Sequence, residues 1–130
     1  MSSTLGAGLT ISHYRILSQL GAGGMGEVYL ALDTTLNRQV ALKVLPARFS
    51  SDPERMRRFL KEARAASALN HPNVAHIYEI AEEKGIHFIS MEYAEGKTLS
   101  SEISDHPMEE TQILEIAIQI ADALELAHSK

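Results

Sequence analysis

The sequence predicts an α+β protein in which an antiparallel sheet and one helix are followed by helices alone. Three observations predict this class. Short apolar runs with strand character, separated by turn residues, occupy positions 13–45. A second pair of such runs lies at 74–80 and 86–93. From position 94 onward the strand pattern ends, and residues 109–128 have the apolar periodicity of a long helix.

The first three predicted strands form a meander. Residues 13–20 carry aromatic and branched side chains, residues 27–32 follow a glycine-rich turn, and residues 38–45 alternate in character. In the third strand, one face presents Val40, Leu42 and Val44, and the other presents Ala41, Lys43 and Leu45. The turn chemistry of residues 33–37 indicates that the last two of these strands are antiparallel neighbours.

A helix is predicted after Pro46, which ends the third strand. It begins at Ser51-Asp52-Pro53-Glu54, where a capping side chain precedes a proline at the first helical position, and it runs to about Leu69. Its basic residues are interpreted as a solvated face. A projection at about 100° per residue places Glu62 inside the apolar arc, whose members are Met56, Phe59, Leu60, Ala63, Ala66 and Leu69.

The remaining elements are a hairpin and two helices. Residues 74–80 and 86–93 are predicted strands separated by the polar turn 82–85, and residues 98–104 form a small helix. The helix over 109–128 has apolar residues on two adjoining stripes, so it requires cover on two sides. If it lacks that cover, the exposed helix favours self-association. The stripes contain Ile113, Ile116, Ile120, Leu124 and Ala127, and beside them Leu114, Ile118 and Ala121.

Composition excludes several classes of function. The net charge of −5 disfavours nucleic-acid binding, and the absence of cysteine excludes disulfides, thiolate metal sites and a cysteine nucleophile. None of the six histidines has metal-site spacing, and His71 is interpreted as structural. The chain lacks both a secretory signal and the ~20-residue apolar run of a membrane span. We therefore expect this portion to form one domain without a membrane segment or a metal site, located in the cytoplasm, and this expectation leaves open a membrane anchor downstream in the full-length protein.

A glycine-rich turn, Gly21-Ala22-Gly23-Gly24-Met25-Gly26, matches the pattern G-x-G-x-x-G. A dinucleotide-binding fingerprint needs a helix directly after the glycines and an acid about 20 positions on, but a strand follows here and residues 39–41 contain no acid. A Walker loop needs Gly-Lys-Ser/Thr, whereas Gly26 precedes Glu27-Val28. A glycine turn between two strands is instead a flap whose backbone amides can cover phosphates. A plain glycine-rich hairpin turn is the alternative.

Lys43 and Glu62 each sit on a face where a charge needs a partner. A lysine on the Ala41 face is costly to bury unless its ammonium meets an anion, and Glu62 lies with the apolar arc of its helix. Each has an alternative reading, since Lys43 could extend to solvent and Glu62 could flank the buried arc. Taken together with the glycine flap, they indicate a triphosphate site in which the lysine holds phosphates and the glutamate holds the lysine.

In order and spacing, four segments resemble the N-terminal lobe of a bacterial serine/threonine protein kinase of the eukaryotic-like type. The segments are GAGGMGEVYLA, VALKVL, RFLKEARAASALNHPNV and FISMEYAEGKTL. The resemblance implies a five-stranded antiparallel sheet plus helix C, followed by the first helices of the C-terminal lobe. It implies an N-terminal leader at residues 1–12, the N-lobe at 13–93, a hinge at 94–98 and an incomplete C-lobe at 99–130.

The resemblance also implies roles for single residues. Lys43 would bind phosphates and pair with Glu62, Met91 would be the gatekeeper, and the backbones of Glu92 and Ala94 would bond the adenine edge. In many kinases an acid near this position binds the ribose; here the residue is Thr98, so the resemblance assigns no ribose contact. The implied ATP-binding set is Leu20, Gly21, Ala22, Gly23, Gly24, Met25, Gly26, Val28, Ala41, Lys43, Met91, Glu92, Tyr93 and Ala94.

The implied function is transfer of the ATP γ-phosphoryl group to protein hydroxyls, with Mg²⁺. The His-Arg-Asp catalytic loop, the Asp-Phe-Gly magnesium site and the activation segment would all follow Lys130, so the resemblance assigns no catalytic base and no metal ligand to this chain. We expect this portion to be inactive alone. A catalytically inactive kinase remnant that acts as a nucleotide-binding or scaffold module is the alternative. A less favoured one is an unrelated α+β interaction domain with a chance glycine loop.

Overall fold

A computed structural model of the chain describes residues 6–23, 26–45, 48, 51–105 and 107–129. Gly24, Met25 and Pro46, which carry sequence-based predictions, lie outside the described residues. The strands are β1 (Thr10–Ile11), β2 (Tyr14–Gly23), β3 (Gly26–Asp33), β4 (Arg38–Val44), β5 (Ile77–Glu83) and β6 (Ile86–Glu92). The helices are α1 (Pro53–Ser67), α2 (Leu99–Asp105) and α3 (Glu110–His128).

The strands form one antiparallel sheet of six strands in the order β1-β2-β3-β4-β6-β5. The five predicted strands are confirmed with shifted ends. The sixth, β1, pairs Thr10 with Arg15 and Ile11 with Tyr14, within a segment predicted as a leader. Two residues are too few for an alternation to appear in the sequence. The reversal after β1 is made by Ser12, whose φ of 55° is rare outside glycine.

Two turns fix the register of the predicted hairpins. Between β5 and β6, Lys84 and Gly85 both have positive φ, 52° and 80°, as a two-residue type I′ turn requires. Between β3 and β4, the Asp33 Oδ1 accepts from the backbone N–H groups of Thr35 at 3.0 Å and Leu36 at 3.1 Å. The predicted turn chemistry at residues 33–37 is therefore confirmed, and the turn at 82–85 is shorter than predicted because Glu82 and Glu83 pair within the sheet.

The two faces of β4 bury different clusters, as its alternation predicted. Val40, Leu42 and Val44 belong to the larger cluster, whereas Leu45, just after β4, packs with Ile89 of β6 on the other face. The larger cluster also contains Ile11, Tyr14, Ile16, Tyr29, Ala31 and Phe88. The sheet is curled around this cluster, since the Tyr14 hydroxyl of β2 donates to Glu79 Oε1 of β5 at 2.7 Å although these strands are not neighbours in the sheet.

The smaller cluster consists of Leu45, Ile89, Phe59 and Ala63. Helix α1 contributes Phe59 and Ala63 to it and thereby covers this face of the sheet. Its predicted start is confirmed: Asp52 is the N-cap, its Oδ1 accepts from Glu54 N at 3.1 Å and Arg55 N at 3.4 Å, and Pro53 is the first helical residue. The helix ends at Ser67, with Ala68 as its C-cap, two residues before the predicted end.

The chain divides into two compact units, of which the first comprises Met1–Ala68 and His76–Tyr93. The second comprises Leu69–Ala75 and Ala94–Lys130 and contains α2 and α3. There the Asn73 side-chain amide donates to the Gln119 carbonyl at 3.1 Å. An apolar groove of about 400 Å³ lies between α2 and α3, lined by Leu99, Ile103, Pro107, Met108, Ile113, Ile116, Ala117 and Ile120.

The Tyr14 hydroxyl gives stability a dependence on alkaline pH. Burial, followed by the hydrogen bond to Glu79, raises the pKa of Tyr14 to about 12 from its usual 10.0. A raised folded-state pKa contributes stability below pH 10 that is lost as the pH rises to 12. Urea unfolding between these pH values should show the free energy of unfolding falling by about 2 kcal/mol more in the wild type than in Tyr14→Phe. If the free energy of unfolding falls equally with pH in the wild type and in Tyr14→Phe, the raised pKa of Tyr14 is contradicted.

Candidate functional site

The glycine turn closes the end of the β2–β3 hairpin. Gly23 pairs with Gly26, and Gly21 pairs with Val28. Gly26 has a backbone φ of 129°, a value that residues other than glycine rarely adopt. A Cβ at Gly21 would meet no atom within 4 Å, so Gly21 is not required by packing. Gly21 and Ala22 are exposed. The β2 side of the predicted flap is thus open to solvent at Gly21 and Ala22, whereas Gly26 on the β3 side is buried.

Leu20 occupies an irregularity in this hairpin. The register passes from the pair Gln19–Tyr29 directly to the pair Gly21–Val28, so Leu20 is the extra residue of a β-bulge. A bulge changes the direction of a side chain relative to strict alternation. The Leu20 side chain is 45% exposed and remains accessible to a bound molecule, as its predicted role requires.

Lys43 lies in the centre of a row of cross-strand neighbours. It pairs with Val28 of β3 on one side and Ile89 of β6 on the other, and cross-strand pairs share a face of the sheet. Two residues along β4, Ala41 pairs with Met91 and shares that face. The register therefore brings Val28, Ala41, Lys43 and Met91 together on one face, and the Lys43 side chain is half-buried there.

Glu62 departs from its predicted position. Ala63 lies in the buried arc of α1, and Glu62, one residue earlier, projects about 100° away from it around the helix axis. Its side chain is exposed, so its predicted place inside the apolar arc is wrong. Of the ion pairs that the described residues form within 4.0 Å, none joins Lys43 to Glu62. Both residues lie on the same side of the sheet, because Ile89 beside Lys43 packs with Phe59 of α1, and their ion pair stays a prediction.

The predicted hinge, residues 94–98, follows shortly after the end of β6. Met91 is half-buried against the smaller cluster, and Glu92 is the last residue of the strand. The Glu92 N–H donates to the His76 carbonyl at 2.8 Å, and Glu92 Oε1 accepts from the His76 N–H at 3.1 Å. Tyr93 is half-buried and is the last residue of the first unit, and Ala94 is exposed and belongs to the second unit.

The contact made by the Glu92 side chain was not predicted from the sequence, which assigned only its backbone. The position of a carboxylate at a strand end is the one signal that the sequence carries for it. In the second unit, Thr98 Oγ1 accepts from Ser101 N at 3.0 Å and so caps the start of α2. His71 Nδ1 accepts from Asn73 N at 3.0 Å, which agrees with its predicted structural role.

The described residues show neither a group of three or more His, Asp and Glu placed to hold a metal ion nor a helix long and apolar enough to cross a membrane.

Comparison with known sequences identifies relatives along nearly the whole chain. Residues 14–130 match the family described as "Protein kinase domain". The serine/threonine-protein kinase PrkC of Bacillus subtilis is 46% identical over 116 residues, which are 88% of this chain and 18% of PrkC. PknF of Mycobacterium tuberculosis, also a serine/threonine-protein kinase, is 40% identical over 129 residues, 97% of this chain and 27% of PknF. The chain thus spans about a fifth to a quarter of the length of these relatives.

Solved structures give the same result. The crystal structure of the Mycobacterium tuberculosis PknI kinase domain superimposes with a TM-score of 0.82 at 32% identity. The match covers 97% of this chain and 51% of the solved one. These matches exclude the alternative that the chain is an unrelated α+β interaction domain with a chance glycine loop. They confirm the predicted α+β fold class. With its glycine turn, its central strand lysine and these relatives, the chain belongs to the protein kinase family, within which it resembles the N-lobe and the start of the C-lobe of bacterial serine/threonine kinases.

Proposed function

We propose that the chain is the ATP-binding portion of a serine/threonine protein kinase. The observation that carries this proposal is the shared face of Val28, Ala41, Lys43 and Met91, which lies beside a hairpin closed by glycines. It includes one cation among apolar side chains, which suits a ligand with a flat apolar base and an anionic tail. In this proposal residues 13–93 are the N-lobe, 94–98 the hinge and 99–130 the beginning of the C-lobe.

Each part of the face has its own task toward the nucleotide. Backbone N–H groups of the glycine turn donate to phosphate oxygens that no side chain obstructs. The Lys43 ammonium neutralises the α- and β-phosphates, and Glu62 stabilises that ammonium once the two side chains meet. Leu20, Val28 and Ala41 cover the adenine, while Met91 bounds it at the back. The backbone groups of Glu92 and Ala94, on either side of Tyr93, bond the adenine edge.

Calorimetric titration of the chain with ATP and with AMP tests this proposal. AMP keeps the α-phosphate but lacks the β- and γ-phosphates, so it loses part of the contacts with Lys43 and the glycine turn, and we expect ATP to bind about tenfold more tightly than AMP. Inosine triphosphate is the control for the base, because it keeps the three phosphates and changes the adenine edge. Equal affinities for all three nucleotides, or no binding, would contradict the proposed site.

For the whole protein, we propose transfer of the ATP γ-phosphoryl group to serine or threonine hydroxyls of a protein substrate. The relatives named as serine/threonine-protein kinases support this activity. Mg²⁺ would serve the same reaction by neutralising the phosphate charge. Incubating the complete gene product with γ-labelled ATP should label the protein itself or an added substrate. A gene product that binds ATP without transferring phosphate would instead support the nucleotide-binding module.

We also propose that the chain self-associates through α3. Leu114 and Ile118 stand one helical turn apart and are 56% and 62% exposed, an arrangement that water disfavours. Sedimentation velocity over a concentration series should show reversible association, and Ile118→Glu should weaken it about tenfold because a carboxylate then enters an apolar contact. Leu36→Glu, at a residue 60% exposed in the first unit, is the matched control. If the two variants behave alike, α3 is not the contact.

A further inference from the structure

On its β5 side, the end of β6 is held by a side chain where β5 no longer supplies a pairing residue. The regular pairing of β5 with β6 reaches its last residue pair at Ile77 and Met91, with a register irregularity between Ile77 and Glu79. Beyond it, Glu92 meets His76 twice: the Glu92 N–H donates to the His76 carbonyl, and Glu92 Oε1 accepts from the His76 N–H. The carboxylate thus occupies the place of a backbone carbonyl in the ladder.

The two flanks of Glu92 differ in how firmly they are held. On the β4 side it pairs with Val40, which is fully buried, so that flank is fixed by the sheet itself. On the His76 side, both His76 and Glu92 are exposed, and water competes with their contact. Removing the carboxylate would leave a single hydrogen bond of 2.8 Å on the His76 side, so this side of the strand end would open more readily.

We propose that the Glu92 side chain is a positioning residue for adenine recognition. Its carboxylate fixes the Glu92 backbone, whose carbonyl bonds the adenine edge in the proposed function, on which this inference therefore rests. A hydrogen bond to a flat base tolerates little displacement, so a freely fraying strand end would weaken binding of the base and leave the phosphate contacts intact. If Glu92 contributed only to overall folding, its removal would weaken binding of the base and binding of the phosphates alike.

The test compares Glu92→Ala and Glu92→Gln with the wild-type chain, using ATP and inorganic tripolyphosphate as probes. Glu92→Gln retains an acceptor oxygen for the His76 N–H, whereas Glu92→Ala has none. We expect Glu92→Ala to weaken ATP binding about fivefold without changing tripolyphosphate binding, and Glu92→Gln to restore most of the ATP affinity. Amide hydrogen exchange at His76 should accelerate about fivefold in Glu92→Ala and return toward the wild-type rate in Glu92→Gln.

The outcomes separate this inference from the proposed function. If the wild type binds ATP no better than tripolyphosphate, the proposed adenine site itself fails. If the wild type prefers ATP and Glu92→Ala binds it equally well, the positioning role is overturned while the proposed function stands. Equal loss of both probes in Glu92→Ala would also overturn the positioning role, because the defect would then not be confined to the base.

Discussion

Lys43→Ala is expected to weaken ATP binding by the chain by roughly tenfold to a hundredfold. Hydrogen bonds to charged groups contribute about 1.5–3 kcal/mol, which corresponds to that range. The lysine is half-buried on the face that carries Val28, Ala41 and Met91, so its ammonium is shielded on that side from competing water. Calorimetric titration of the variant and of the wild type measures the change directly.

Lys61→Ala is the matched control for this prediction. Lys61 is exposed on α1. The substitution Lys61→Ala removes the same positive charge as Lys43→Ala but leaves the proposed ATP-binding face unchanged. Its ATP affinity should equal that of the wild type at moderate salt, since exposed charges at a distance are screened. If both lysine variants lose affinity equally, ATP is attracted by overall charge and Lys43 has no specific role.

Phe88→Ala is expected to destabilise the first unit by about 3–5 kcal/mol. Phe88 is 1% exposed in the larger cluster, and its ring meets that of Tyr14 edge-on with centroids 5.7 Å apart. Truncation removes this contact and leaves a cavity in the centre of the curled sheet, where the strands cannot collapse without losing their register. Urea denaturation monitored by circular dichroism measures the loss.

Leu36→Ala removes an aliphatic side chain that is 60% exposed and should change the unfolding free energy by less than about 0.5 kcal/mol. An effect of Phe88→Ala no larger than that of Leu36→Ala would mean that the larger cluster is not the main source of stability in this unit.

The elements that the sequence predicts well are those with a regular local pattern or a local start signal. The alternation through β4 correctly assigned Val40 and Leu42 to one cluster and Leu45 to the other. Asp52 and Pro53 located the start of α1, because a cap and a first-turn proline act on their immediate neighbours. The side of β4 on which Lys43 lies follows from the same alternation. The face that carries the candidate site was therefore predictable from the sequence, whereas the half-burial of Lys43 is known only from the structure.

What escaped prediction depends on contacts between distant residues. Strand β1 is held by pairing to β2 and offers only two residues of pattern. The contact of Tyr14 with Glu79 spans 65 positions and arises from the curl of the sheet, which no local period encodes. Glu62 was misplaced because a helical projection finds the centre of an apolar arc more reliably than its edges, and its neighbour Ala63 proved to be nearer that centre.

Mapping the backbone amide chemical shifts of the isotope-labelled chain during an ATP titration tests directly whether this face of the sheet binds ATP. We expect shift changes concentrated at Gly21 and Val28, at Lys43 and at the end of β6 around Glu92. Residues of α3 should serve as the unperturbed reference. Shifts confined to α3, or spread evenly over exposed lysines and arginines, would contradict the claim.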